Sequence, residues 1–420
     1  MPLVLFGLYR YFRLREEGSG GTRPLAGAAA ALALQNLSCG YYMLFFVPFA
    51  AAYCGFEMAR RRLLRDARTW AALGVAAVGV AAITWPFVSP YLEVRRAADV
   101  GIRTRDEVVQ FSADVQAFGT APELSRLWGE RVRVYPRGEG EGFPGSAILA
   151  LAIVGLASGR MAQNGERRRT RAEAAFFALA ALAAGLLAFG PVIRFAGSII
   201  GTGPYDLLFR YVPGFDGVRV PARYLMIVAL FLAILAGFGA AILLARRVGT
   251  VLVAAASAVV LAESWVAPMP TNVRMAPYGF ELTPRHLSMG ADLSPLYQWA
   301  RDAPGRIVLI EFPFAEPAYD ILATFYAGQH RRPLVNGYSG FFPEAYLRRA
   351  TFLRKIPADL EAATKALRSS GATHAIVHEG AIPDGRGHEL SDWLLSIGAQ
   401  LVMTHGTDKL FVIPSAAKSH

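Results

Sequence analysis

Five long apolar runs, nearly free of ionised side chains, dominate the pattern of the chain: Trp70–Tyr91, Gly145–Ala157, Ala172–Phe195, Tyr224–Ala245 and Val248–Ala267. An apolar stretch of about 20 residues crosses the bilayer core as an α-helix, in which the helix satisfies its own backbone hydrogen bonds. Residues 1–267 are therefore predicted to form a polytopic helical membrane domain, which makes the fold class mainly α.

The charged connectors between these runs predict the topology. Arginines are concentrated within residues 10–23, 60–68, 160–171 and 246–247. Because cytoplasmic loops carry an excess of Arg and Lys, we assign these four segments to the cytoplasm. The spans then alternate consistently if residues 24–59 form a hairpin of two spans. The sequence thus predicts seven spans, at residues 24–38, 40–58, 70–91, 145–160, 172–195, 224–245 and 248–267.

This topology leaves loop 92–144, loop 197–219 and residues 268–420 outside the cytoplasm. The last of these segments has turn residues and charges throughout, and predicted strands alternate with predicted helices along it. The strands are Arg306–Phe312, Thr373–Val377, Leu401–Thr404 and Lys409–Ile413, and the helices are Ala358–Ser369 and Leu390–Ile397. Residues 268–420 are therefore predicted to be a small extracytoplasmic α/β domain.

Composition agrees with a membrane protein, because 54% of the residues are hydrophobic and only 18% are charged. The net charge of +11 arises from arginines in short loops, so it gives no indication of nucleic-acid binding. Cys39 and Cys54 form no disulfide framework. His330, His374 and His378 lack the helical spacing of metal ligands. We therefore predict no metal site and identify no cofactor in this chain.

The segment Gly203–Arg223 places two arginines at the start of an apolar run. Arg219 and Arg223 lie on the predicted extracytoplasmic side, where the positive-inside bias makes arginine uncommon. A helix N-terminus favours a phosphate, and a guanidinium group binds two phosphate oxygens at once. We predict that both arginines bind a lipid phosphate. The alternative is that Asp216 pairs with one of them and only holds the loop in place.

A second segment, Tyr91–Trp128, mixes acidic and basic residues beside the bilayer. Such a mixture suits a cleft for an anionic head group. Arg103 is a third predicted phosphate-binding residue, and Asp106 and Glu107 join Asp216 as predicted cleft carboxylates. The alternative is a solvated helical loop without a binding role.

A third segment, His330–Pro343, combines cations, an amide, hydroxyl groups and aromatic rings. These groups suit the faces and hydroxyls of a sugar, so His330, Asn336 and Tyr338 are predicted to contact the acceptor. The alternative is a structural loop between two strands. Glu311, at the end of a predicted strand and followed by Pro313, is a candidate site carboxylate. The alternative, which we favour, is an exposed carboxylate, because carboxylates at strand ends are usually exposed.

Three stretches carry a resemblance to a known group of proteins: LQNLSCGYYMLFF (Leu34–Phe46), VPGFDGVRVPARYL (Val212–Leu225) and HRRPLVNGYSGFFP (His330–Pro343). Together with the order of elements, they resemble the C-terminal part of bacterial membrane proteins of the GT-C glycosyltransferase type, including the YfhO-like group. The resemblance implies a polyprenyl-phosphate-linked sugar as donor. It also implies an extracytoplasmic site and a carboxylate in the first outside loop that serves as base or metal ligand.

No stretch of the chain matches that acidic motif. Met1–Tyr9 is apolar and is followed by Arg10, so we interpret it as the inner end of a further helix. The chain is thus predicted to be the C-terminal part of a longer enzyme, to which any divalent cation would belong.

The expected function is the transfer of a sugar from a polyprenyl-phosphate carrier to an envelope glycan or protein acceptor. The expected location is the bacterial inner membrane, with the lipid bilayer as a partner and without nucleic acid. One alternative is a non-catalytic scaffold or accessory protein of envelope assembly. A lipid or polysaccharide transporter is a further alternative, disfavoured because no series of ionisable residues runs through the predicted spans.

Overall fold

The computed structural model describes residues 1–98, 103–136, 138–157, 164–269, 283–284, 286–340, 342–354 and 356–414. The chain divides into two compact units, Met1–Met269 and Pro270–His420, two residues after the boundary predicted from the sequence. Each unit is described separately.

The first unit consists of helices and one short hairpin. Its helices are α1 (Pro2–Glu16), α2 (Thr22–Ser38), α3 (Gly40–Arg60), α4 (Ala67–Ala98), α5 (Arg105–Gln110), α6 (Ser146–Leu156), α7 (Asn164–Ala188), α8 (Tyr205–Tyr211), α9 (Leu225–Leu244) and α10 (Gly249–Glu263). Strands β1 (Val192–Phe195) and β2 (Ser198–Thr202) pair antiparallel. The predicted span 172–195 therefore differs from the structure at its end, because its last four residues form a strand.

Four helical segments in the described part of the chain are long and apolar enough to cross a membrane: Gly40–Arg60, Ala67–Arg96, Thr170–Ala188 and Pro221–Leu244. Two further apolar helices, α6 and α10, are shorter, and α2 has 17 residues. Residues 158–160 of the predicted span 145–160 lie outside the described residues. The chain is thus mostly helical and suited to a membrane, while the count of seven spans stays a prediction.

Small residues bring α6 and α9 together. A Cβ atom added to Gly155 would lie 2.0 Å from the carbonyl oxygen of Leu235, and one added to Gly239 would lie 2.0 Å from that of Leu151. Membrane helices approach this closely where glycine leaves space for the neighbouring backbone. Because Gly142, just before α6, contacts Leu225 at the start of α9, the two helices begin at the same end of the unit.

Aromatic side chains fix the segment before α9 against α3. The rings of Phe45 and Tyr224 stack with centroids 3.9 Å apart, and Phe215 stacks on Phe45 at 6.3 Å. The hydroxyl of Tyr205 donates a hydrogen bond to the carbonyl oxygen of Phe215 at 3.3 Å. All four residues are buried, so this aromatic cluster holds the loop that carries Arg219 in one position.

The second unit contains helices α11 (Pro295–Asp302), α12 (Pro317–His330), α13 (Glu344–Leu353), α14 (Leu360–Ser369) and α15 (His388–Ser396). Its strands are β3 (Leu309–Phe312), β4 (His374–His378), β5 (Gln400–His405) and β6 (Asp408–Val412). The sheet order is β3-β4-β6-β5, in which β3 and β4 are parallel and the other pairs antiparallel. The predicted strands and helices of this region are confirmed within a few residues at their ends.

The sheet of the second unit has helices on both faces. Phe312, Leu367 and Trp393 belong to the core that joins one face to α13, α14 and α15. Leu296 and Ile376 belong to the core that joins the other face to α11 and α12. This layered packing on a mixed sheet is an α/β arrangement.

Candidate functional site

Local structure brings the predicted arginines of the first unit to one place. Thr104 caps α5 by accepting a hydrogen bond from the backbone N–H of Glu107 at 3.2 Å, which fixes the chain just after Arg103. The backbone N–H of Arg103 donates to the carbonyl oxygen of Asp216 at 2.8 Å. The loop before α9 and the loop before α5 are therefore joined, and Arg219 comes close to Arg103.

Arg219 belongs to a group of four arginines, which we call the arginine cluster and which consists of Arg95, Arg103, Arg219 and Arg223. Its guanidinium carbon lies 4.8 Å from the centroid of the Phe111 ring, and its side chain is half-buried. The Nε of Arg219 is buried without a hydrogen-bond partner, and no ion pair forms between Arg219 and any residue that the structure describes. Arg219 is thus a positively charged group without a carboxylate to balance it.

The charge of Arg219 is among the influences on the pKa of Arg103. Burial is the largest influence that lowers the pKa of Arg103, and the charge of Arg219 lowers it further. Glu107 acts in the opposite direction, because its carboxylate accepts a hydrogen bond from Arg103 at 2.9 Å. Arg103 and Arg219 therefore place two positive charges in the same part of the unit.

Arg223 forms the third part of the cluster. Its guanidinium carbon lies 4.7 Å from the centroid of the Tyr41 ring, and its Nη2 forms an ion pair with Glu139 at 2.9 Å. Glu139 and Arg223 are both partly exposed, so this pair is screened by solvent. An incoming anion can therefore compete with Glu139 for Arg223 at little cost.

The predicted cleft carboxylates differ in their contacts. Asp216 pairs with Arg95, with one oxygen 3.0 Å from Nη1, so the alternative in which Asp216 pairs with Arg219 or Arg223 is wrong. Glu107 pairs with Arg103. Asp106 is exposed in the first turn of α5. Asp106 is thus the most exposed carboxylate of this set, while Glu107 and Asp216 are partly buried in ion pairs.

One arginine of the cluster, and two aromatic residues that contact it, were not among the predicted site residues. Arg95 supplies the partner of Asp216, Phe111 the ring beneath Arg219, and Tyr41 the ring beneath Arg223. Tyr41 lies in one of the stretches that carry the family resemblance, but no local pattern indicates its contact with Arg223. These contacts depend on how distant segments pack.

In the second unit, the predicted acceptor-binding residues do not share a surface. Asn336 is buried, and its amide donates to the carbonyl oxygen of Glu311 at 2.8 Å and to Asp320 at 2.9 Å. His330 is buried and its ring stacks on Tyr297, with centroids 5.8 Å apart. Tyr338, in contrast, is 54% exposed. Of the three residues, only Tyr338 is placed to meet a ligand from solvent.

A polar row that the sequence did not predict crosses the sheet of the second unit. His378 lies between two carboxylates, 3.1 Å from Glu311 and 3.0 Å from Asp408, and the hydroxyl of Tyr297 donates to Glu311 at 2.8 Å. Burial alone would lower the pKa of His378, but hydrogen bonds to Asp408 and Glu311 raise it to about 10. The expectation that Glu311 is exposed is wrong, because it is 3% exposed.

Two further buried groups of the second unit, Asp320 and His330, have shifted pKa values. Burial raises the pKa of Asp320 to about 6, although hydrogen bonds from Tyr346 and Asn336 oppose the change. Burial also lowers the pKa of His330. No group of three or more His, Cys, Asp or Glu side chains is arranged to hold a metal ion among the residues described. The row is therefore best explained as an internal ion network that joins β3, β4 and β6.

Comparison with known proteins identifies the first unit only. A family model described as Domain of unknown function (DUF6311) matches residues 2–263, which include the whole arginine cluster. No curated protein and no solved structure matches the chain.

Proposed function

The chain belongs to the DUF6311 family of unknown function, and we propose that its arginine cluster binds the phosphate of a polyprenyl-phosphate carrier during transfer of a sugar to an envelope acceptor. The proposal places this end of the helices on the extracytoplasmic face of a bacterial inner membrane, because the arginine-dense loops at the other end mark the cytoplasmic side. The lipid bilayer holds the tail of the carrier, and the cluster holds its phosphate.

The observation that carries the proposal is the unbalanced charge of Arg219. Its guanidinium group is half-buried, stacks on Phe111 and lies beside Arg103 without a carboxylate partner in the described chain. Keeping two like charges together is unfavourable unless an anion is bound between them. A phosphate matches the fork of hydrogen-bond donors that each guanidinium group presents.

The position of the cluster supports the same ligand. Arg219 precedes the turn Pro221–Tyr224 and Arg223 lies within it, and this turn leads directly into α9. The positive end of the helix dipole favours an anion at this position. A lipid phosphate would therefore meet both guanidinium groups and the beginning of α9 at the surface of the bilayer.

In the proposed reaction, the cations stabilise the departing lipid phosphate while a base accepts the proton of the acceptor hydroxyl. Asp106 is the base we assign within this chain, because Glu107 and Asp216 are already paired with arginines. Tyr338 is assigned to acceptor contact because it is exposed.

Binding of polyprenyl phosphate to the protein in lipid nanodiscs tests the proposal. Arg219→Ala should weaken binding about 10-fold to 100-fold, the value of a lost charged hydrogen-bonding group. Arg219→Lys should give an intermediate loss, because lysine keeps the charge and loses the two-point geometry. The matched control is Arg126→Ala, which removes an exposed arginine outside the cluster. Equal affinities of Arg219→Ala and wild-type protein would reject the proposal.

A non-catalytic accessory role is the second candidate function. It is favoured by the engagement of Glu107 and Asp216 in ion pairs, which leaves Asp106 as the free carboxylate among the three predicted ones. Sugar transfer that falls by orders of magnitude in Asp106→Asn, with phosphate affinity retained, would favour the enzyme. Phosphate binding without any transfer by the complete protein would favour the accessory role.

A further inference from the structure

A cavity of about 230 Å³ lies in the first unit, apart from the arginine cluster. Its walls come from three elements: the loop before α6, the beginning of α6 and the end of α10. The aromatic and polar residues that line it are Ser125, Trp128, Phe143, Glu263 and Ser264. We call it the Trp128 cavity. Its volume suits one ring rather than a drug-sized ligand, for which pockets begin at about 300 Å³.

The Trp128 ring is held in a fixed orientation. Its Nε1 donates a hydrogen bond to the carboxylate of Glu263 at 2.9 Å, and the Phe143 ring packs edge-on against it with centroids 5.9 Å apart. The same carboxylate accepts from the backbone N–H groups of Ser146 at 2.9 Å and Ala147 at 3.2 Å. Glu263 thus fixes both the beginning of α6 and the indole, and its oxygens are occupied.

The backbone is shaped to allow this arrangement. Gly145 has φ +93°, and a Cβ atom there would lie 2.9 Å from an oxygen of Glu263. A larger residue would push the carboxylate away from Trp128. Ser125 adds a hydrogen bond from its hydroxyl to the carbonyl oxygen of Glu263 at 3.0 Å. The cavity is therefore a built feature with a rigid aromatic wall.

A short stretch of chain connects the Trp128 cavity to the arginine cluster. Glu139 pairs with Arg223, and Phe143, four residues later, lines the cavity. Four residues span at most about 14 Å even when fully extended. Both sites also lie at the end of the unit where α6 and α9 begin. The backbone path between the two sites is therefore short.

We infer that the Trp128 cavity receives the sugar ring of the lipid-linked donor, with the apolar face of the ring on the indole. This inference rests on the proposed function, because the phosphate in the arginine cluster positions the sugar. Tyr and Trp rings offer a broad apolar face beside a polar edge, which suits a ring with both C–H and hydroxyl groups. The ionisable residue lining the cavity is the acidic Glu263, and no Lys or Arg lines it among the described residues. The sugar is therefore neutral rather than acidic.

Lipid affinities in nanodiscs test this inference separately from phosphate binding. The probes are polyprenyl phosphate joined to glucose, galactose, mannose or glucuronic acid, with the methyl diester of polyprenyl phosphate as the reference of equal phosphate charge. At least one neutral sugar should bind about fivefold tighter than the methyl diester, as expected for one aromatic contact. The glucuronic acid probe should gain nothing.

Substitutions of Trp128 test whether the tighter binding of the neutral sugar probe arises in the Trp128 cavity. Trp128→Ala should remove the fivefold preference and leave affinity for the methyl diester unchanged, while Trp128→Phe should keep most of the preference. The matched control is Trp265→Ala, because Trp265 is 55% exposed and does not line the cavity. If Trp128→Ala keeps the preference, or if no neutral sugar binds tighter than the methyl diester, the inference is overturned while the phosphate site stands. If the methyl diester and polyprenyl phosphate both fail to bind wild-type protein, the proposed function itself fails.

Discussion

Both ends of the helical unit carry arginines. At one end the arginines of α3 are paired with carboxylates, whereas at the other end Arg219 has no carboxylate partner among the described residues. At the end where α3 finishes, Glu57 is fully buried and pairs with both Arg60 and Arg61. Arg60 also pairs with Glu173, and Arg61 with Glu16. At the end where α3 begins, Arg219 is half-buried beside Arg103, and no described carboxylate pairs with it.

The difference distinguishes a structural role from a binding role. A closed network of ion pairs holds helices together and leaves no charge for a ligand. An unbalanced guanidinium group on a rigid aromatic support does little for folding and is ready to bind an anion. We therefore expect substitutions at the end where α3 finishes to lower stability, and substitutions at the end where α3 begins to change phosphate binding.

Glu57→Gln is expected to have the largest effect. Glutamine cannot balance Arg60 and Arg61, which then keep only Glu173 and Glu16 as carboxylate partners. The free energy of unfolding should therefore fall by up to about 3 kcal/mol, the lower end of the cost of breaking a buried ion pair. Chemical unfolding in detergent micelles measures this value. The control, Glu17→Gln, removes an acid from an exposed pair with Arg13 and should change stability little. Wild-type stability in Glu57→Gln would show that the network is not structural.

Asp216→Asn is expected to have a smaller effect, which concerns the binding of polyprenyl phosphate rather than stability. The substitution leaves Arg95 without its carboxylate and adds one net positive charge to the arginine cluster. Affinity for polyprenyl phosphate should rise about twofold to fivefold, more at low salt than at high salt. The matched control at the other end is Asp66→Asn, which frees Arg15 in the same manner. A rise in both variants would mean that the gain does not arise at the arginine cluster.

Sequence reasoning singled out Arg219 and Arg223 for a physical reason. Two arginines beside the start of an apolar run, on the side that the positive-inside rule leaves poor in arginine, form a pattern that needs no tertiary information. Short apolar runs between turn residues likewise predict the strands of the second unit. In contrast, the partner of Asp216 is Arg95, far away in the sequence, and only the packing of α4 beside the loop selects it.

Burial of polar groups was the other property that sequence could not supply. Glu311 ends a strand in a stretch that reads RIVLIEF, and nothing local shows that α11 covers it with Tyr297. Asn336 lies among turn residues typical of an exposed loop, yet its amide binds the backbone of β3 and Asp320. Both depend on long-range contacts, which pattern and propensity do not determine.

An experimental structure of the protein in a nanodisc that contains polyprenyl phosphate tests the phosphate site most directly. We expect phosphate density with its oxygens about 2.7–3.2 Å from the guanidinium nitrogens of Arg219, with Arg103 and Arg223 beside it. Phosphate bound elsewhere, with the Arg219 guanidinium group paired to a carboxylate of the protein, would contradict this expectation.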